Sequence, residues 1–269
     1  MRRSIFRRAS IEAAALAITV IVAVSRSGSA DAQVLPTPAE VAAYQGLHAA
    51  AQRGDVAEIQ RLAGESGAPR PAPAPSGSAP AGSGQPTRRA NGAGGALEAR
   101  DGNGRTPLHV ATFAKRRDAV RALLAAGADS GALDRDRYDA VTIAAVADDE
   151  ETLRTLLAAG ASAQVVTSRY DGTALIAAAH LGHAGVVRQL IAAGAPLDHV
   201  NNLGWTALIE AVVLGDGGLR HQACVDALLS AGADRTIGDR SRRTPLQLAQ
   251  DRGYAAIVAL LERPAAPRR

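Results

Sequence analysis

The chain has 269 residues and is 47% hydrophobic but only 3% aromatic, with one cysteine, six scattered histidines and a formal charge of +4. A single cysteine excludes an internal disulfide framework and a thiolate metal cluster, and the histidines have no metal-ligand spacing. Most of the positive excess sits in residues 1–32, where five arginines face two acids, so the remainder is close to neutral and gives no argument for nucleic-acid binding.

Residues 1–32 read as an export signal. Arg2, Arg3, Arg7 and Arg8 form a basic start, Ala13–Val24 is an apolar run of 12 residues, and Ala30-Asp31-Ala32 is a small-residue cleavage pattern. The run is shorter than the roughly 20 residues of a spanning helix. Cleavage is expected before Gln33. The alternatives are an uncleaved inner-membrane anchor and a buried helix. The adjacent arginines resemble a twin-arginine export motif, although Met1 stands where a polar residue is usual. A bacterial periplasmic or secreted location follows, with no stable membrane insertion after cleavage.

Residues 33–65 carry Leu47-His48-Ala49-Ala50, then Gly54-Asp55, then a stripe of Val56, Ile59 and Leu62. This is expected to be an N-terminal helical cap or degenerate repeat; the alternative is one amphipathic helix. Residues 66–96 hold six Pro and seven Gly without apolar periodicity. Such a segment buries too little to offset its ordering entropy, so a disordered insertion is expected. The chain should return as an extended finger at Leu97–Asp101.

Residues 97–263 contain five repeats, with 264–269 as a frayed tail. Ala-Gly-Ala motifs place Gly127, Gly160, Gly194 and Gly232 at intervals of 33, 34 and 38, each after a pair of large aliphatics. Upstream lie the blocks Thr106-Pro107-Leu108-His109, Asp139-Ala140-Val141-Thr142, Thr173-Ala174-Leu175-Ile176, Thr206-Ala207-Leu208-Ile209 and Thr244-Pro245-Leu246-Gln247. In each block Thr, or Asp139, caps a helix, and Pro fits the first helical position because its missing N–H needs no partner. Small residues follow and let that helix approach its neighbours. A second helix carries apolar residues at helical spacing, such as Val186, Val187, Leu190 and Ile191. Glycine ends it in a conformation costly for other residues.

These units resemble ankyrin repeats, and the whole resembles a bacterial exported ankyrin-repeat protein. The first repeat matches best. The second lacks the Thr-Pro start and the histidine, and in the third Gly172 stands directly before Thr173 rather than one residue earlier. The resemblance implies an all-α repeat solenoid of helix-turn-helix units joined by short extended fingers. It also implies a protein partner, contacted by fingers and first helices. In that frame His109 ties one loop to the next, His183 sits in an inter-helix turn, and His48 follows the same logic in the cryptic unit.

Chemistry has weaker support. Asp101, Asp134, Asn201 and Asp239 recur five residues before each Thr position, which makes them turn residues rather than catalytic acids. Asp148–Glu151 lie at a helix start, where carboxylates complement the dipole. No catalytic residue, cofactor or metal is expected. Cys224 is expected to be a buried small residue; the alternative is pairing between chains. The expected function is a non-catalytic protein-interaction scaffold. The alternatives are a structural envelope protein without a dedicated partner and, last, an enzyme.

Large or charged residues in the fingers fall outside the apolar stripes: Arg135, Arg137, Tyr138, Arg169, Tyr170, Asn202, Trp205, Arg240, Arg242 and Arg243. They are the candidate protein-binding residues, since aromatics and arginine concentrate interface energy. The alternative is that Trp205 covers a neighbouring finger while the arginines solubilise the edge.

Overall fold

The structure is a computed structural model that describes residues 35–65 and 95–264. The export signal, nearly all of the 66–96 insertion and the tail beyond 264 lie outside the described residues.

A short helix, α1 (Pro38–Ala43), is followed by α2 (Gly46–Arg53) and α3 (Val56–Glu65). Then come five helix pairs: α4 (Pro107–Phe113) with α5 (Arg117–Ala125), α6 (Ala140–Val146) with α7 (Glu150–Ala158), α8 (Ala174–Leu181) with α9 (Ala184–Ala192), α10 (Ala207–Val213) with α11 (Leu219–Ser230), and α12 (Pro245–Asp251) with α13 (Ala255–Glu262). First helices stack on first helices and second on second, from α2–α3 through to α12–α13. The result is a two-layered helical solenoid, and each repeat buries its faces only against its neighbours.

The local chemistry recurs with the sequence. The hydroxyls of Thr173, Thr206 and Thr244 accept from the backbone amides of Ile176, Ile209 and Gln247, and the Asp139 carboxylate accepts from Thr142 at 2.8 Å. Buried alanines such as Ala111, Ala145, Ala178 and Ala211 thin the first helices and allow close stacking. The second helices close with φ near +90° at Gly127, Gly160, Gly194 and Gly232. That left-handed turn lets the following alanine amide reach back to the carbonyl of Leu123, Leu156, Leu190 or Leu228 at 3.0 Å. The same leucines are fully buried, each contributing about 1.5–3 kcal/mol by leaving water.

Regular sheet among the described residues is one two-stranded antiparallel pair, β1 (Val166–Thr167) with β2 (Gly172–Thr173), in the third finger. One expectation is corrected. Of Leu97–Asp101, expected as an extended finger, Leu97 and Glu98 belong instead to a 3-10 turn (Gly95–Glu98), because Leu97 (3% exposed) folds back into the core between the N-terminal helices and α4. Glu98 then accepts from the Asp129 amide at 2.8 Å.

Candidate protein-binding surface

Every finger is built around one polar side chain. The Oδ1 atoms of Asp101, Asp134, Asn201 and Asp239 each accept two backbone amides, two and four residues ahead, at 2.8–3.0 Å. In the third finger Ser168 takes that place and accepts from Tyr170 at 3.3 Å. The tight loop forces a positive φ at one register position, filled by Gly104 (73°), Arg137 (65°), Asp171 (51°), Gly204 (83°) and Arg242 (60°).

The fingers are joined edge to edge. Arg135 donates its amide to the Asn103 carbonyl, and Asn202 donates to the Tyr170 carbonyl, both at 2.9 Å. Asn202 Nδ2 donates to the Arg169 carbonyl at 2.9 Å, and the Arg240 guanidinium donates to the Asn202 carbonyl. Arg137 pairs with Asp171 at 3.1 Å and Arg169 with Asp136 at 3.8 Å. These pairs are about half exposed, so they orient side chains more than they stabilise the fold.

The ten candidate residues divide by register. Arg135, Arg169, Asn202 and Arg240 share one tip position, and all are exposed, as are Arg137 and Arg242 at the positive-φ position. Tyr170 and Arg243 are half-buried, and Arg243 is tied to Asp239 at 2.9 Å and Asp251 at 3.4 Å. Tyr138 (6% exposed) and Trp205 (7%) are buried and leave the candidate surface. Both occupy the residue just before a helix cap, where the side chain turns inward; Arg105, 2% exposed, does the same. The signal was present in the sequence, because Arg105, Tyr138, Gly172, Trp205 and Arg243 recur in the repeat register.

The structural positions are tied across repeats. His109 Nδ1 accepts from the Thr106 amide at 3.1 Å, so its Nε2–H donates to the Tyr138 carbonyl at 3.0 Å. Burial holds the ring neutral, with its pKa down at about 4. His48 makes the equivalent bridge to the Arg105 carbonyl at 2.9 Å, and His183, in the turn before α9, lies 2.9 Å from the Ala145 carbonyl. Thr106, Pro107 and Leu108 are buried at the start of α4, and Pro245 is buried at the start of α12. Cys224 is fully buried, and that burial pushes its thiol up to about 11.

Sequence reasoning missed one buried acid. Glu210, 2% exposed, stands in α10 at the position filled by Val110, Ile143, Ala177 and Leu248 in the other first helices. Its carboxylate accepts from Asn201 Nδ2 at 2.9 Å and from His180 Nδ1 at 3.2 Å. The departure from the aliphatic repeat pattern was its only signal. Among the described residues no group of three or more His, Cys, Asp or Glu side chains could hold a metal ion, and no helix is long and apolar enough to cross a membrane.

A stack of capped helix pairs with linked fingers defines a repeat protein of the helix-turn-helix solenoid class. The sequence profile of the ankyrin repeats matches residues 22–167 and 141–239, the first match starting inside the segment read as an export signal. The chain belongs to the ankyrin-repeat family. It is 34% identical over 162 residues to the ankyrin repeat protein YahD of Escherichia coli (strain K12), covering 60% of this chain and 80% of that one. The crystal structure of an ankyrin repeat domain from Acinetobacter baumannii AYE matches with a TM-score of 0.64 at 40% identity, over 80% of this chain and 95% of that one. The ankyrin repeat domain of Bcl-3, a member of the IkappaB protein family, matches with the same TM-score at 27% identity, over 81% of this chain and 85% of that one. Ankyrin repeats are in general protein–protein interaction modules and typically non-catalytic.

Proposed function

We propose that this protein is a non-catalytic scaffold that binds a protein partner through its finger row and first helices, in the bacterial periplasm after removal of residues 1–32. The observation that carries the binding reading is the row of exposed tip side chains, Arg135, Arg169, Asn202 and Arg240, repeated in register on fingers linked edge to edge. Arginine combines apolar area with several donors, and a row held by backbone bonds loses little entropy when a partner docks. The basic start, apolar run and small-residue cleavage pattern support export.

The test is capture from a periplasmic extract by the full chain and by the triple variant Arg135→Glu, Arg169→Glu, Arg240→Glu. The reading expects a stoichiometric partner with the native chain and its loss with the variant at unchanged melting temperature. Recovery of no such partner favours an envelope role without one. N-terminal sequencing of the mature protein should begin at Gln33; intact Met1 in the membrane fraction would replace cleavage with anchoring.

A further inference from the structure

A small recess of about 40 Å³ opens between the second, third and fourth repeats on the side of the fingers and first helices. Its origin is legible in the register. In the third repeat Gly172 stands where the flanking repeats carry Tyr138 and Trp205, and Ala177 stands where they carry Ile143 and Glu210. Both small residues line the recess, so the space lies where one repeat lacks two side chains that its neighbours have. A Cβ added at Gly172 would meet only ordinary contacts, 3.5 Å from Ser168 Oγ and 3.9 Å from Ile176 Cγ2. Backbone geometry at this glycine therefore does not demand the missing side chain.

The walls are mostly apolar, with Tyr138, Ile176 and Leu203 among them, while Glu210 and His180 add a polar edge. Glu210 is a buried carboxylate whose partners are an amide and an imidazole, with no arginine or lysine of the described residues in ion-pair contact. A buried carboxylate favours a cation over any other incoming group.

The first repeat shows what fills the equivalent place. There Arg105, the counterpart of Gly172, lies buried with its guanidinium carbon 5.4 Å from the centroid of the Phe113 ring, the counterpart of His180. Its Nη1 stands 3.7 Å from Asp101 and 3.8 Å from Glu40. The fold thus already accommodates a guanidinium beside a ring at this register position, with Asp101 and Glu40 as its carboxylates there, whereas beside the third repeat the carboxylate comes from Glu210 of the following repeat.

We propose that the recess receives an arginine side chain of a protein partner, its guanidinium taking in the third repeat the place that Arg105 fills in the first and pairing with the Glu210 carboxylate. The partner being a protein rests on the scaffold reading above; the recess chemistry does not. The purified full chain is titrated with n-propylguanidinium, n-butanol and butyrate, and amide shifts are followed by NMR. Saturable shifts should centre on Gly172, Ala177 and His180, with the guanidinium bound at least about tenfold more tightly than the alcohol, as expected for a charge-assisted pair. Glu210→Gln should bring the two within about twofold, the charge-assisted component being lost. Ala177→Leu, which restores a bulky aliphatic side chain, should abolish both; melting temperatures of the variants check folding. Equal affinity for guanidinium and alcohol, tighter butyrate, or no saturable shift in the native chain overturns the proposal, even if Glu210→Gln fails to fold. Failure of the native chain to capture any partner would leave this titration unchanged, so the two readings fail separately.

Discussion

The Nε2–H of His109 donates to the carbonyl of Tyr138, 29 residues away and in the next finger, at 3.0 Å. One ring thus joins the start of α4 to the start of the following repeat, because its Nδ1 is held by Thr106. His109→Ala removes both bonds: the Tyr138 carbonyl keeps the Asp134 amide at 2.9 Å, while the buried Thr106 amide loses its acceptor, which should cost about 1–3 kcal/mol. His109→Gln should recover part of that loss, since Gln247 in the last repeat already accepts from the Thr244 amide at 3.0 Å from the same position. Urea denaturation of the two variants measures it; equal stability of His109→Ala and the native chain would remove the bridge from the account.

Burial also makes the bridge sensitive to pH. His109 titrates at about 4 in the fold against an ordinary 6.5. Above the ordinary value both folded and unfolded chains are neutral at this position, and its contribution is fully present. As pH falls from 6.5 toward 4, the unfolded chain alone takes up the proton, so stability drops, by about 2 kcal/mol at pH 5. Asp139 acts in the opposite sense, because burial raises it to about 6 and the folded chain is protonated first as pH falls. The difference between the native chain and His109→Gln isolates the histidine, and that difference should shrink from pH 7.5 to pH 5.

Trp205 and Arg169 should separate packing from surface. Trp205 belongs to the core and is 7% exposed, so Trp205→Ala should cost about 3–5 kcal/mol. Arg169→Ala, at an exposed tip with a long pair to Asp136, should shift stability by less than about 0.5 kcal/mol. Thermal melts of both variants, beside partner capture, decide it: a stable Trp205→Ala chain that has lost capture would return Trp205 to the binding surface.

Arg242 holds φ at 60° where two other fingers carry glycine. A non-glycine residue there is strained, so Arg242→Gly should stabilise the chain by about 0.5–1 kcal/mol. An unchanged or lower denaturation midpoint would mean that contacts of the Arg242 side chain outweigh the strain.

Cys224 should be inert in the native state. Its thiol is fully buried and pushed up to about 11, so thiolate is scarce and unreachable at neutral pH. A thiol reagent should label it only after denaturant is added, and a non-reducing gel of native protein should show no dimer band.

The sequence by itself determined the local and the periodic. Thr-Pro-Leu-His starts, Ala-Gly-Ala stops and aliphatic pairs in register each act within a few residues, through caps, a fixed φ and a helical stripe, so the order of helices and the family could be read without coordinates. The helix at Pro107 and the turn at Gly127 needed no distant neighbour to be specified. Which way the residue before each cap points is different. Tyr138 and Trp205 were candidates for the surface, with packing on a neighbouring finger the alternative for Trp205, because local rules say nothing about a side chain outside a helix; only stacking turned both inward. Leu97 folded back for the same reason. Glu210, His180 and the space left by Gly172 and Ala177 exist only together, since they come from adjacent repeats, with His180 and Glu210 meeting across thirty residues of sequence. A site of that kind is set by which side chains the stack brings face to face, and burial, not sequence distance, decides its chemistry.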